Sequence, residues 1–255
     1  MRLLLIFIFS GIYISCFSQK KGDAQIEYQL FCNTDSPTTL FTSLYVSNNV
    51  SIYQEKYSTA KDWEENKKQL PTGVTVFGGT SQYDPYLKID QNKKEMFFFS
   101  KILSNNFLVK DNYYEFTWDI SSETKVISGY PCVKATTDFR GRKWVAWFAP
   151  GIPLPFGPWK LHGLPGLILE TYDVDKKYTI KVLEIVYKKN DVFGKDFETL
   201  METKNSKPVS YQQFLQDTEE AKDNAFRRIS DNKNATITRL PVARDGEELK
   251  YEWEP

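Results

Sequence analysis

One imidazole, His162, stands in 255 residues. A lone histidine can work as a general base when a carboxylate orients it, and Glu170 and Asp173 follow it closely in the chain. It cannot support a mechanism that needs two imidazoles, and it argues against a zinc site of the usual composition. There is no glycine-rich phosphate loop, no nucleophile elbow and no zinc-protease helix motif. The many carboxylates show no spacing that marks a glycosidase pair. Two readings of His162 follow. One is a hydrolase that uses it with a nearby carboxylate. The other, which we favour, is a loop histidine bonded to backbone carbonyls, because no nucleophile adjoins it. Trp159, Lys160 and His162, together with Trp147, are the candidates for touching a ligand or partner. No cofactor and no metal is expected.

The three cysteines are Cys16, Cys32 and Cys132, and none has metal-type spacing. Residues 1–18 read as a secretory signal peptide, with Arg2 as the positive region, Leu3 to Phe9 as the apolar core and a cleavage point after Ser18. Lipidation at Cys16 is the lesser alternative. The mature chain, residues 19–255, is expected to be a single β-rich domain in the periplasm or outside the cell. An oxidising compartment permits a Cys32–Cys132 disulfide, and two separately buried thiols fit the sequence equally well. Lys+Arg and Asp+Glu are both 33. Losing residues 1–18 removes Arg2 and no acid, so the net charge becomes −1. Nothing there offers the basic footprint of a nucleic-acid binder. Apolar residues at 41% and a mean hydropathy of −0.48 describe a globular chain.

The elements that would position these residues are mostly strands. Ala24 to Phe31 alternates apolar and polar residues, and Leu40 to Val46 with Val50 to Tyr53 reads as a hairpin across a Ser-Asn-Asn turn. Residues 54–72 are charged and read as a wet loop or short helix. Strands then follow over Tyr86 to Ile89, Glu95 to Leu103, Asn106 to Val109, Tyr113 to Ile120, Thr124 to Ile127, Val133 to Phe139 and Lys143 to Phe148. Trp144 and Trp147 fall on opposite faces of the last of these, one in the core and one on the surface. Proline and glycine make 149–166 an irregular loop, before two strands over Leu167 to Tyr172 and Lys177 to Tyr187. One helix, Tyr211 to Ile229, carries an apolar stripe and a Ser210–Gln213 capping box, and the face of a curved sheet is its natural partner. The fold class is mainly β (α+β): a single curved antiparallel sheet or half-barrel with a C-terminal helix. Strands apolar on both faces imply that both are covered, or that one lines an apolar cavity.

The segment around His162 carries a family signature. Gly163-Leu164-Pro165-Gly166-Leu167-Ile168 spells GLPGLI. Upstream lie Gly129 and Cys132-Val133-Lys134-Ala135-Thr136, then Gly141-Arg142 with Trp144 and Ala146-Trp147-Phe148, then Ile152-Pro153 and Gly157-Pro158-Trp159-Lys160. In order and spacing these blocks resemble the GLPGLI family of exported Bacteroidota proteins. The close match spans Gly129 to Glu170. The resemblance implies an exported envelope protein of unestablished activity and an accessory role beside a TonB-dependent outer-membrane transporter. By analogy of fold, the strand order with one helix also resembles the half-barrel lipoprotein carriers LolA and LolB. Within the motif, Gly163 and Gly166 suit positive φ or close backbone approach, Pro165 stiffens the turn, and Leu164, Leu167 and Ile168 plug into the core. That makes the motif a structural latch. The chain is expected to be a non-enzymatic binding or accessory module for an apolar ligand or membrane partner, with a purely structural envelope role as a further alternative.

Overall fold

A computed structural model describes residues 23–35, 37–56, 86–102, 105–188, 207–230, 244 and 246–255. The signal-peptide, Cys16 and mature-terminus readings, and most of the 54–72 loop, lie outside these residues.

Two antiparallel meanders meet side by side. The first contains β1 (Asp23–Cys32), β2 (Thr38–Ser47), β3 (Val50–Lys56), β4 (Tyr86–Asp90), β5 (Glu95–Ile102) and β6 (Asn105–Asp111). The second contains β7 (Asp119–Ile127), β8 (Tyr130–Phe139), β9 (Arg142–Ala149), β10 (Leu167–Asp173) and β11 (Tyr178–Lys188). β1 pairs with β11, and the two-residue β12 (Val209–Ser210) adds to β6 in parallel. The result is one open, curved twelve-stranded sheet in the order β12-β6-β5-β4-β3-β2-β1-β11-β10-β9-β8-β7. This is the mainly-β, single-sheet architecture that the alternation in the sequence predicts. Three of the hairpins turn on consecutive residues with positive φ: Asn48–Asn49, Ser128–Gly129 and Arg140–Gly141. Such pairs match the right-handed twist of the flanking strands.

Period-2 alternation puts one face of the sheet in the core. Across the first meander the register aligns Ile26, Leu44, Tyr53, Leu87, Phe98 and Val109 in one transverse row. Across the second, Leu30, Ile180, Thr171, Ala146 and Ala135 form the corresponding row. The small residues here leave room for the 149–166 loop. Trp144, two residues from Ala146 on the same face, packs its ring 5.1 Å from that of Trp159 in the loop. Leu154, Phe156, Leu161 and Leu164 of the loop are all buried. Helix α1 (Tyr211–Ser230) lies at the other end of this inner face, with Phe214 edge-on to Phe98 and Phe107. Its first turn is capped as expected, Gln213 N–H donating to Ser210 Oγ at 3.2 Å.

The structure corrects one expectation and decides one open alternative. Tyr113 to Trp118 is irregular, and only Asp119 and Ile120 of the anticipated strand belong to β7. Tyr113 and Phe116 pack on the His162 ring, and Tyr114 and Phe116 pack on Phe139, which an alternating strand would prevent. Cys32 and Cys132 are both free. They lie on β1 and β8, four strand steps apart, or roughly 19 Å along the sheet at about 4.8 Å per step, beyond the reach of a disulfide.

Candidate functional site

The loop that precedes and contains GLPGLI is shaped by close approaches. Gly163 takes a φ of +90°. Gly166 lies so close to the β9 end that a Cβ there would sit 2.3 Å from the Ala149 carbonyl oxygen. Leu164, Leu167 and Ile168 are buried, so the motif packs as a latch. Trp159 is held at a φ of +54° between Phe139 and Trp144, which is strained for a bulky residue. That conformation sends the next side chain, Lys160, into the interior.

Lys160 ends in a buried ion network. Its Nζ donates to Asp111 Oδ2 at 2.7 Å and to Glu248 Oε1 at 2.6 Å. Arg140 forks onto Asp111 with contacts of 2.7 and 2.9 Å, reaches Glu248 at 2.7 Å and bonds Glu252 through Nε at 2.9 Å. Tyr211, the first residue of α1, donates its hydroxyl to Glu248 Oε2 at 2.6 Å. The end of β6, the β8–β9 turn, the loop, the helix start and the C-terminal tail therefore converge on one cluster. The Leu249 and Lys250 N–H groups also donate to the Arg140 carbonyl, fixing the tail. Burial pushes the Asp111 carboxyl upward, but Lys160 and Arg140 outweigh it and hold the group below the usual carboxylate range. Burial and the Glu248 charge raise the Tyr211 hydroxyl far above its ordinary value.

Beside this cluster opens a cleft of about 480 Å³. Its sheet side is the inner face of β3 to β5, with Tyr53, Leu87, Phe98 and Ser100. The opposite sides come from Trp159 and Lys160 of the loop, Tyr211 and Leu215 of α1, and Glu247 to Tyr251 of the tail. Four glutamates line it: Glu219 pairs with Lys222 and Glu248 belongs to the ion network, and the other two are Glu55 and Glu247. Burial, then the Glu247 charge, pushes Glu55 up to about 6. Burial raises Glu247 as well, partly opposed by its own backbone N–H. Cys32 stands close enough to both for their charges to add to its burial, and its thiol is pushed up to about 12.

Of the residues singled out in the sequence, Trp159 and Lys160 line this cleft, while His162 and Trp147 do not. His162 is 2% exposed, its Nδ1 bonded to the Lys160 carbonyl at 2.8 Å. That carbonyl can only accept, so Nδ1 carries the proton. Burial lowers the His162 pKa against the opposing effect of the Lys160 and Tyr114 carbonyls. The carboxylates proposed for it are engaged elsewhere: Glu170 with Lys125 at 2.9 Å and Asp173 with Arg142 at 3.1 Å. Trp147 lies on the outer face, as its spacing from Trp144 predicts, but it is buried there, with the Lys125 ammonium 4.3 Å from its ring. Asp111, Arg140, Glu247 and Glu248 escaped the sequence reading. Of these only Arg140 carries a local signal, its place before Gly141 between two strand patterns, which marks a turn.

Fold and site together define an open antiparallel-sheet module with a cleft on its inner face. No protein-family model matches the chain, and no curated protein matches it. Among solved structures, PNGF-II aligns in two crystal forms over 78% of this chain, at 16% and 17% identity with TM-scores of 0.55 and 0.54. The alignments cover 33% and 34% of PNGF-II, so this chain spans about a third of that protein's length. At this identity the likeness is one of fold. An uncharacterized conserved protein from Thermus thermophilus aligns over 74% of this chain and 90% of its own, at 10% identity and a TM-score of 0.39. A LolA superfamily protein from Nitrosomonas europaea aligns over 70% and 92%, at 8% identity and 0.31.

Proposed function

We propose that the chain is an exported envelope protein of the GLPGLI type that binds a ligand in the inner-face cleft without transforming it. The observation that carries this reading is the cleft itself. At about 480 Å³ it has the size of a small-molecule site, aromatic side chains make up much of its lining, and a satisfied ion network fixes its sides. The signal-peptide pattern and the GLPGLI blocks support export and an accessory role beside a TonB-dependent transporter. Phe98, Leu87 and Trp159 supply apolar surface for the body of a ligand. The non-catalytic reading is supported by His162, which is buried away from the cleft and from any carboxylate partner.

Native mass spectrometry of the mature protein after incubation with envelope lipid and peptide extracts tests the proposal. A retained adduct is expected, and affinity capture from solubilised envelopes should recover an outer-membrane transporter. No adduct with any extract would overturn the binding role, and no recovered transporter would remove the accessory one.

A further inference from the structure

The cleft holds negative charge that no described residue neutralises. Each cation lining it is committed elsewhere: Lys160 to Asp111 and Glu248, Lys222 to Glu219 at 2.7 Å, and Arg244 to Glu254 at 2.8 Å. Among the described residues no cation pairs with Glu55 or Glu247, although Lys160 and Arg142 act on Glu247 from further off. Tyr53 supplies an independent sign. It is 6% exposed, lines the cleft, and feels the charges of both Glu55 and Glu247. Its hydroxyl is enclosed against that of Thr42, and among the described residues neither oxygen has another partner. With only each other to bond, one of the two O–H donors is left without an acceptor beside two carboxylates, a costly arrangement for an unliganded fold to keep.

We propose that the cleft binds an organic ammonium ligand, whose cationic head sits between Glu55 and Glu247 and donates N–H bonds to both carboxylates. The apolar body of the ligand lies on Phe98, Leu87 and Trp159. The assignment rests on the binding role proposed above and names its ligand class. An organic cation fits better than a metal ion. Among the described residues no three His, Cys, Asp or Glu side chains are grouped to hold a metal, whereas aromatic surface flanks the carboxylates. Aromatic faces and carboxylates together are the usual surroundings of a bound ammonium group. The head must find Glu55 ionised, so binding strengthens as pH rises through about 6. The other groups facing Glu55 are Glu247, Cys32 and Tyr53, and Glu247 in turn faces Glu248, Lys160 and Arg142.

The test is isothermal titration of the mature protein with 2-phenylethylammonium and with its neutral counterpart 2-phenylethanol. At pH 7.5 the amine should bind at least tenfold more tightly than the alcohol. Glu55→Gln and Glu247→Gln, which keep side-chain volume, should each weaken the amine at least tenfold and leave the alcohol unchanged. At pH 5 the wild-type affinity for the amine should fall about tenfold. Equal affinity for amine and alcohol would overturn the assignment, as would variants that bind the amine as wild type does. Binding of neither probe would also overturn it, and the extract experiment then decides the binding role by itself.

Discussion

Lys160 shows how far a residue can be read before its surroundings are known. Its place two residues before the only histidine and three before GLPGLI marks it as functional, and it does line the cleft. Its partners Asp111 and Glu248 lie 49 and 88 residues away in the chain and leave no local trace. Removing Lys160 leaves Asp111 and Glu248 to share Arg140, one buried positive charge short, and breaking a buried ion pair in comparable networks costs about 3–5 kcal/mol. Lys160→Met should therefore lower the melting temperature by roughly 10 °C, at about 2–4 °C per kcal/mol for a chain of this size, as read by differential scanning calorimetry. A fall of less than about 2 °C would show the network to be energetically idle.

Glu55 predicts the opposite sign. Its folded-state pKa of about 6 lies above the ordinary 4.5, so the folded chain holds the proton more tightly than the unfolded one. Its contribution favours folding at low pH and is lost as pH rises from 4.5 through 6. Glu55→Gln should raise the melting temperature at pH 7.5 and leave it nearly unchanged at pH 4. A loss at pH 7.5, or the same gain at both pH values, would contradict this account of the cleft's charge.

At the scale of elements, alternation and turn residues were enough to place most strands, because each strand buries one face and each hairpin reverses at residues that tolerate positive φ. Tyr113 to Trp118 was misread for a physical reason. Its aromatic side chains satisfy a strand pattern equally well whether they alternate across a sheet or wrap around an imidazole. The latch was legible from glycine and proline, and its two kinds of glycine demand are separable. Gly166→Ala must place a Cβ 2.3 Å from a backbone oxygen, while Gly151 has an unremarkable φ and open space around its Cβ position. In chemical denaturation Gly166→Ala should therefore cost at least about 2 kcal/mol, as overpacking typically does. Gly151→Ala should stay within roughly 0.5 kcal/mol of wild type, as substitutions in open space do. Equal effects would show that the latch is not set by that close approach.

For the molecule as a whole, sequence pattern predicts one sheet and one helix but says little about the joining of two meanders through β1 and β11. That pairing links residues about 150 positions apart and decides which side chains share the inner face. It also keeps the two cysteines apart. Intact mass after alkylation under denaturing, non-reducing conditions should show Cys32 and Cys132 both modified, and thiols that become alkylated only after reduction would reinstate the disulfide. The Lys160 and tail network closes one side of the cleft, and residues from six separate stretches of chain meet there. The central claim, that this cleft is where the protein meets its ligand, is tested most directly by blocking it. Ser100 lines the cleft and is half-buried, so Ser100→Trp adds bulk there with little demand on the core. Native mass spectrometry in envelope extract should show the adduct on wild type and on the outer-face variant Trp147→Phe, and lose it on Ser100→Trp. An adduct that persists on a folded Ser100→Trp protein would place ligand binding elsewhere and contradict the account.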